Sequence, residues 1–278
     1  RLCRDWSSDV CSSDLYSFQT PVGDESAPFT FAVLGDSRGN YELNGKLLKM
    51  AREAGARFVL YTGDMTESGT QPEWNLWFRG VAETLPLLPI MPLLGNHEML
   101  SKSYFQQFVL PSADEKNYLF TYGMAQFGVL YDGDEKLILE QTLPWLTASF
   151  AASKSPWKFI ALHKPPYASI PYIIDTLKDG VTKTAEDSGV AMVFSGHRHT
   201  YERTYPLLGG RQAENGVVYM ISGGAGAPLD ETVGTFYTAK AAAVNHFVIL
   251  NVTANNILCV VKNADGSVID EFTVTPRH

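Results

Sequence analysis

Cysteine is scarce in this sequence, with 3 residues among 278. Cys259 lies in an apolar stretch with the pattern of a strand, whereas Cys3 and Cys11 lie in an irregular N-terminal stretch. This arrangement excludes the paired framework of small disulfide-rich domains and leaves the redox compartment open. The chain is 45% hydrophobic and long enough to bury a sizeable core, so we expect one catalytic domain stabilised by packing.

Long apolar runs are also absent. The most apolar stretch, from Leu85 to Leu94, is short and is interrupted by Pro86, Pro89 and Pro92. A membrane-spanning helix needs about 20 consecutive apolar residues. The sequence therefore predicts no membrane span in this chain, and it carries no signal for an oligomeric state.

Blocks of basic residues are missing as well. The chain has 22 basic and 30 acidic residues, a formal net charge of −8. This balance argues against general nucleic-acid binding. An anionic ligand would be repelled unless bound cations attracted it, and clustered carboxylates could hold such cations.

The most informative stretch runs from Phe194 to Arg203. It follows an apolar run, Val190 to Phe194, that predicts a buried strand, and it presents His197 and His199 after a glycine. Ligands of open α/β sheets bind at the carboxyl ends of strands. An isolated His-x-His pair is nevertheless more often part of a surface loop than of a metal site, so this stretch alone decides little.

Four other predicted strands end in residues that can bind metals. Their ends read Gly35-Asp36, Gly63-Asp64, Gly95-Asn96-His97-Glu98 and Leu162-His163. Asp36 and Asp64 are 28 positions apart (64 minus 36), about one βαβ unit, so parallel strands can place both at one sheet edge. Two carboxylates so close repel each other unless a cation lies between them. Taken alone, the Gly95 to Glu98 tetrapeptide is as consistent with a plain turn as with a site.

Periodicity predicts several further elements. The aromatic stripe Trp74, Trp77, Phe78, Val81 predicts a helix packed on a sheet, and Pro165-Pro166 predicts an extended exit that directs Tyr167 towards the edge of the site. The other elements are helices at Asn44–Ala54 and Leu143–Ala152, strands at 29–34, 57–61, 157–162 and 217–221, a hairpin over 118–132, and C-terminal strands at 247–252, 257–262 and 268–274.

The N-terminal region has a different character. Residues 1–15 lack both hydrophobic periodicity and the apolar core of a signal peptide, so we interpret them as non-native or disordered. Residues 16–20 alternate like a strand, and residues 21–28 have the composition of a linker. We therefore expect residues 16–28 to be the remnant of a missing upstream module.

Taken in order, the five strand-end blocks resemble those of the calcineurin-like metallophosphoesterase superfamily. The stretch His199–Thr204 and the strand before the first block resemble bacterial relatives of purple acid phosphatases, which carry a fibronectin-type module upstream. The resemblance implies an α/β fold, a four-layer α/β/β/α sandwich with two mixed sheets, over residues 29–278. It also implies two metal ions, drawn from iron, zinc and manganese, between the sheets.

The resemblance assigns roles to individual residues. Asp64 would bridge the ions, with Asp36 and His199 on the first ion and Asn96, His163 and His197 on the second. We call Asp36, Asp64 and His199 the first metal site, and Asp64, Asn96, His163 and His197 the second metal site. A hydroxide bridging the ions would attack phosphorus. His97 would donate a proton to the leaving oxygen or stabilise its charge.

The implied function is hydrolysis of small phosphate esters by an acid phosphatase-like phosphomonoesterase, located outside the cell or in the periplasm. Alternatives are a phosphodiesterase acting on cyclic nucleotides or other diesters, and a non-catalytic binding protein that has lost one metal site. All three share the same fold. Metal content and a comparison of monoester with diester substrates would distinguish them.

Two positions depart from the family pattern. Arg38 stands where most of the superfamily has histidine, and Glu67 stands where purple enzymes have a metal-binding tyrosine. Arg38 cannot ligate a metal while protonated, so we expect it to contact the substrate or to form a surface salt bridge. Glu67 or a water would complete the first metal site. Residues expected to orient the imidazoles, or to form core hydrogen bonds instead, are Glu98, Tyr201, Glu202 and Arg203.

Overall fold

A computed structural model describes residues 26–171 and 173–277. The expected N-terminal stretch and the strand at 16–20 lie outside these residues, so the division of the chain stays a prediction. The strands are β1 Phe29–Leu34, β2 Val59–Tyr61, β3 Ile90–Pro92, β4 Tyr118–Tyr122, β5 Ala125–Val129, β6 Trp157–Ala161, β7 Met192–Ser195, β8 Tyr201–Thr204, β9 Leu207–Leu208, β10 Arg211–Gln212, β11 Val218–Ser222, β12 Thr238–Ala242, β13 His246–Val252, β14 Ile257–Asn263 and β15 Val268–Val274.

Helices connect many of these strands. They are α1 Tyr41–Glu53, α2 Gln71–Val81, α3 Lys102–Gln107, α4 Glu135–Leu137, α5 Leu143–Ala152 and α6 Asp175–Asp187, with a 3₁₀ turn at Leu85–Leu87 and a π-helical turn at Ile138–Thr142. In the described part of the chain, no helix is both long and apolar enough to cross a membrane.

Thirteen of the described strands form two mixed sheets, and β9 and β10 form a separate two-stranded sheet. The six-stranded sheet has the order β15-β14-β13-β1-β2-β3, in which β1, β2 and β3 are parallel and β13 is antiparallel to β1. The seven-stranded sheet has the order β12-β8-β11-β7-β6-β5-β4, with parallel strands β5, β6, β7 and β11 in its centre. The register aligns Leu34 with Tyr61 and Ala161 with Phe194, so the carboxyl ends of β1 and β2, and of β6 and β7, lie side by side.

Three hydrophobic clusters define four layers. Between the sheets, the ring of Phe31 packs edge-on against Phe127 and Phe194 of the other sheet, with ring centroids 5.3 and 6.0 Å apart. Because side chains alternate along a strand, Leu34 faces the opposite side and packs with α1 and α2. The helices α5 and α6 cover the far face of the seven-stranded sheet. The expected α/β/β/α sandwich with two mixed sheets is therefore confirmed.

Most predicted elements are present, with shifted ends. The stripe containing Trp74 and Trp77 is core, as predicted, because both indoles are fully buried against the six-stranded sheet. The helix predicted from Asn44 begins at Tyr41, because the side chain of Asn40 accepts the N–H of Leu43 at 3.2 Å and caps the helix earlier.

The prediction for Tyr167 is wrong. Its ring is 7% exposed and packs against Tyr219 and Tyr237, with centroids 4.7 and 5.1 Å apart. The two prolines do direct the chain away from β6, but the phenol enters the hydrophobic cluster beneath the seven-stranded sheet. Packing the large apolar area of this ring in the cluster is more favourable than leaving it exposed at the edge of the site.

Candidate metal centre

Three residues at the strand ends adopt an unusual backbone conformation. Asp36, Asp64 and His197 follow β1, β2 and β7 with φ values of 60°, 52° and 67°. This left-handed region costs non-glycine residues roughly 1–3 kcal/mol each and is concentrated at functional sites. The turn away from each strand is therefore maintained by the contacts of the side chains that it positions.

Glycines leave the room that these side chains need. A Cβ at Gly95 would overlap Oδ1 of Asp64, and a Cβ at Gly196 would overlap Oδ2 of Asp36. The carboxylates therefore pack directly against the backbone of the loops that carry Asn96 and His197. Any larger residue at either glycine would displace a carboxylate.

His163 directs its Nε2 into the second metal site. Its Nδ1 lies 2.8 Å from the carbonyl oxygen of Thr62, and a carbonyl can only accept, so Nδ1 carries the proton. The other nitrogen, Nε2, lies 3.0 Å from Oδ1 of Asn96, 3.3 Å from Oδ2 of Asp64 and 3.2 Å from Nδ1 of His197.

Asn96 completes this convergence, because its Oδ1 lies 2.8 Å from Nδ1 of His197. Four atoms that can bind a metal thus converge, and those of Asp64, His163 and His197 all lie within 4.8 Å of one another. Donor atoms this close need either shared protons or a cation between them. The nitrogen and oxygen donors suit zinc, iron or manganese, so the second metal site fits a metal ion.

The pKa values of the residues in this site depend strongly on the charges of their neighbours. Burial opposes a charge on His163, but the carboxylate of Asp64 outweighs burial and raises the pKa of the imidazole to about 10. Burial alone would raise the pKa of Asp64, yet His163 lowers it. Burial and the charge of His163 lower the pKa of His197 to about 3. The group therefore takes up one positive charge, which either a proton or a metal ion can supply.

The first metal site is composed differently. Both oxygens of Asp36 accept the backbone N–H of His197, at 3.0 and 3.1 Å, and burial raises the pKa of this carboxyl group well above its usual range. His199 Nε2 lies 3.8 Å from Oδ1 of Asp36 but 3.3 Å from Nη2 of Arg38. Because a guanidinium group contacts the nitrogen that should bind the metal, these residues do not fit a metal ion as they stand.

Arg38 and His97 both contact Glu67. The carboxylate oxygens of Glu67 lie 2.9 and 3.0 Å from Nη1 of Arg38, so the expected replacement ligand faces a cation. Nδ1 of His97 donates to the carbonyl oxygen of Glu67 at 2.7 Å, and its Nε2 lies 3.9 Å from Oδ2 of Asp64. Arg38 and His97 line a cavity of about 190 Å³, whose other lining residues are Asp64, His197, Arg198, His199 and Asp230.

Glu98 holds the two loops of the centre together. Its buried carboxylate accepts the backbone N–H groups of Gly95, Asp64, Met65 and Thr66, at 2.8, 3.1, 2.6 and 3.3 Å. Burial and the charge of Asp64 raise the pKa of Glu98 to about 7, while the N–H donors act in the opposite direction. Glu98 thus fixes the backbone on either side of the metal ligands.

The other candidates for orienting imidazoles form core hydrogen bonds. Tyr201 and Arg203 both bind Asp270 at 2.8 Å, and Glu202 accepts Ser169. The partners of the ring N–H groups of His163 and His199 are instead the backbone carbonyls of Thr62 and Pro228. A backbone carbonyl partner cannot be identified from the sequence, because every residue has a backbone carbonyl.

Sequence reasoning missed two residues of the cavity. Arg198 stands between His197 and His199, and Nε of its buried side chain lies 3.4 Å from Oδ2 of Asp230. Asp230 also accepts the backbone N–H of His199 at 2.9 Å. The flanking histidines could have indicated Arg198. Asp230 follows a glycine-rich loop without a recognisable spacing, and only the fold places it here.

Comparison with known proteins finds purple acid phosphatases among the relatives of this chain. "Purple acid phosphatase 21" of Arabidopsis thaliana is 26% identical over 241 residues, which cover 77% of this chain and 53% of the relative. "Fe(3+)-Zn(2+) purple acid phosphatase 12" of the same plant is 22% identical, covering 81% of this chain and 52% of the relative. The chain thus spans about half the length of these curated relatives.

The fold comparison points the same way. The solved structure of purple acid phosphatase PPD1 from yellow lupin (Lupinus luteus) superimposes with a TM-score of 0.82 at 18% identity, covering 95% of this chain and 56% of that one. The sequence model described as calcineurin-like phosphoesterase matches residues 29–201, which contain every residue of both metal sites. This chain belongs to the calcineurin-like phosphoesterase family.

Proposed function

We propose that this chain is a metal-dependent phosphoric ester hydrolase that acts on phosphomonoesters. The observation that carries the proposal is the convergence of possible ligand atoms from Asp64, Asn96, His163 and His197 beside a cavity of about 190 Å³. Membership of the family and the similarity to purple acid phosphatases support it.

The residues of the second metal site would hold the ion. A bound ion supplies Lewis-acid chemistry to a phosphoryl group. Arg38 and Arg198 line the same cavity, and their guanidinium groups can donate paired hydrogen bonds to phosphate oxygens. They also offset, at the mouth of the site, the repulsion that a chain of net charge −8 exerts on an anionic substrate.

His97 is the residue to which we assign the role at the leaving group. Its Nδ1–H is committed to the carbonyl of Glu67, so Nε2 is the atom that can gain and release a proton. The side chain is 22% exposed and lines the cavity. We assign to Nε2 either proton donation to the leaving oxygen or stabilisation of its charge.

The finer parts of the proposal rest on family resemblance. A hydroxide bridging two ions requires the first metal site, whose His199 is contacted by Arg38. Iron and zinc appear in the name of one relative, and manganese completes the set to be tested. A location outside the cytoplasm belongs to the same group of expectations, and fractionation of the producing cells tests it.

The decisive experiment combines metal content with substrate choice. Chain loaded with zinc, iron or manganese is assayed with a chromogenic aryl phosphate monoester and with the corresponding diester. We expect monoester turnover that disappears in Asn96→Ala but persists in Asn75→Ala, a matched change on the exposed side of α2.

Each other outcome has a defined meaning. Preferential diester turnover would replace the monoesterase by a phosphodiesterase. Metal binding without turnover of either ester would favour the binding protein. Full activity of Asn96→Ala would show that the site is wrongly assigned.

A further inference from the structure

Arg38 occupies the lone pair that His199 would offer to the first metal ion. Nδ1 of His199 donates to the carbonyl of Pro228 at 2.7 Å, so the lone pair lies on Nε2. Nη2 of Arg38 lies 3.3 Å from that Nε2. The guanidinium therefore donates to the atom through which His199 would bind a metal.

Glu67 holds the guanidinium in this position. Both of its oxygens are within 3.0 Å of Nη1 of Arg38. The Glu67 side chain is 53% exposed and that of Arg38 only 19%, so the arginine end of the pair points inward. With both oxygens engaged, Glu67 is directed away from the role of metal ligand.

The remaining residues of the first metal site have other partners. Both oxygens of Asp36 accept the backbone N–H of His197 and so support its left-handed conformation. Nε of Arg38 lies 3.9 Å from Oδ2 of Asp64, the carboxylate expected to bridge two ions. A permanently charged guanidinium thus lies beside Asp64 and His199, two of the three residues of the first metal site.

We propose that Arg38, held by Glu67, takes the place of the first metal ion, so that the chain binds one ion, at the second metal site. The guanidinium then supplies the second positive charge facing a phosphate group. This inference rests on the proposed function for its substrate, but its central claim concerns the number of ions and is tested without turnover.

The test counts metal ions. Purified chain is stripped with chelator, loaded with excess Zn²⁺ or Mn²⁺, passed through a desalting column and measured by elemental analysis. We expect one ion per chain in the wild type and two in Arg38→Ala, in which Asp36, His199 and Glu67 become available. With Mn²⁺, electron paramagnetic resonance should show an isolated ion in the wild type and exchange coupling in the variant.

Arg198→Ala is the matched control. It removes a guanidinium from the same cavity, but Arg198 pairs with Asp230, so the count should stay at one. A second ion in this control would show that the charge of the cavity, and not the contact with His199, sets the count. That result would overturn the assignment to Arg38.

Asn96→Ala gives a readout that does not depend on the folding of Arg38→Ala. A chain with one site should lose its ion, whereas a chain with two sites should retain one. Two ions in the wild type, or one ion in a folded Arg38→Ala variant, would overturn the inference. One ion without turnover would instead overturn the proposed hydrolase and leave this inference standing.

Discussion

Glu98→Gln should destabilise the protein and weaken metal binding together. In the wild type, Oε2 accepts the N–H groups of Gly95 and Asp64, and Oε1 accepts those of Met65 and Thr66. Glutamine keeps the shape but replaces one oxygen by an NH₂ group. In either orientation, two buried backbone N–H groups then face another donor.

The magnitude follows from these two unsatisfied donors. Each buried donor without an acceptor costs about 1–3 kcal/mol, so we expect a loss of roughly 4 kcal/mol in the free energy of unfolding. For a chain of this size, this loss corresponds to a decrease in Tm of roughly 8–16 °C. Because Glu98 also positions the loops of Asp64 and Asn96, metal affinity should fall by roughly 10- to 100-fold.

Thermal unfolding by circular dichroism and metal titration by calorimetry measure both effects. Glu73→Gln is the control, because Glu73 also accepts two backbone N–H groups, those of Ser68 and Thr70, but at a partly exposed position. Both N–H groups bind the same oxygen, Oε2, which the amide oxygen of glutamine can replace, so the control should lose no more than about 1 kcal/mol. Equal Tm values for the two variants would refute the role given to Glu98.

Three further expectations concern the metal and pH. Removal of the metal by chelation should lower the free energy of unfolding by about 2.7 kcal/mol, relative to protein in free metal at 100 times its Kd. An unchanged Tm after addition of chelator would contradict a metal site formed by the folded protein. Iron-loaded protein should lack the purple charge-transfer band, since Glu67 replaces the tyrosine, and a visible absorption band would refute this. Burial alone would raise the pKa of Asp114, but hydrogen bonds from the backbone N–H groups of Lys116 and Asn117 outweigh burial and lower it. The ionised Asp114 therefore stabilises the folded protein fully above the pKa of the unfolded state, and this contribution is lost as pH falls below about 4. Asp114→Ala should therefore flatten the dependence of Tm on acid, and an unchanged acid profile would count against it.

The positions of the side chains at the strand ends could be predicted because the signal is local in sequence. Asp36 and Asp64 each follow a glycine at the end of an apolar strand, and the parallel pairing of β1 and β2 brings those ends together. The burial of the aromatic stripe of α2 could also be predicted, since the burial of Trp74 and Trp77 follows from their helical spacing. The position of Tyr167 could not be predicted, because the two prolines indicate the direction in which the chain leaves β6 but not the hydrophobic cluster in which the ring packs.

The sequence by itself determined the order of the strand-end ligands and, through apolar periodicity, the layered architecture around them. Only the tertiary structure decided which partner each ligand meets: the carbonyls of Thr62 and Pro228 fix the imidazole protons, and Arg38 lies against His199 across 161 positions. The physical reason is the sequence separation over which the two kinds of interaction act. Strand patterns and glycine turns arise between neighbours in the chain, whereas hydrogen bonds and ion pairs between distant loops depend on how the two sheets pack.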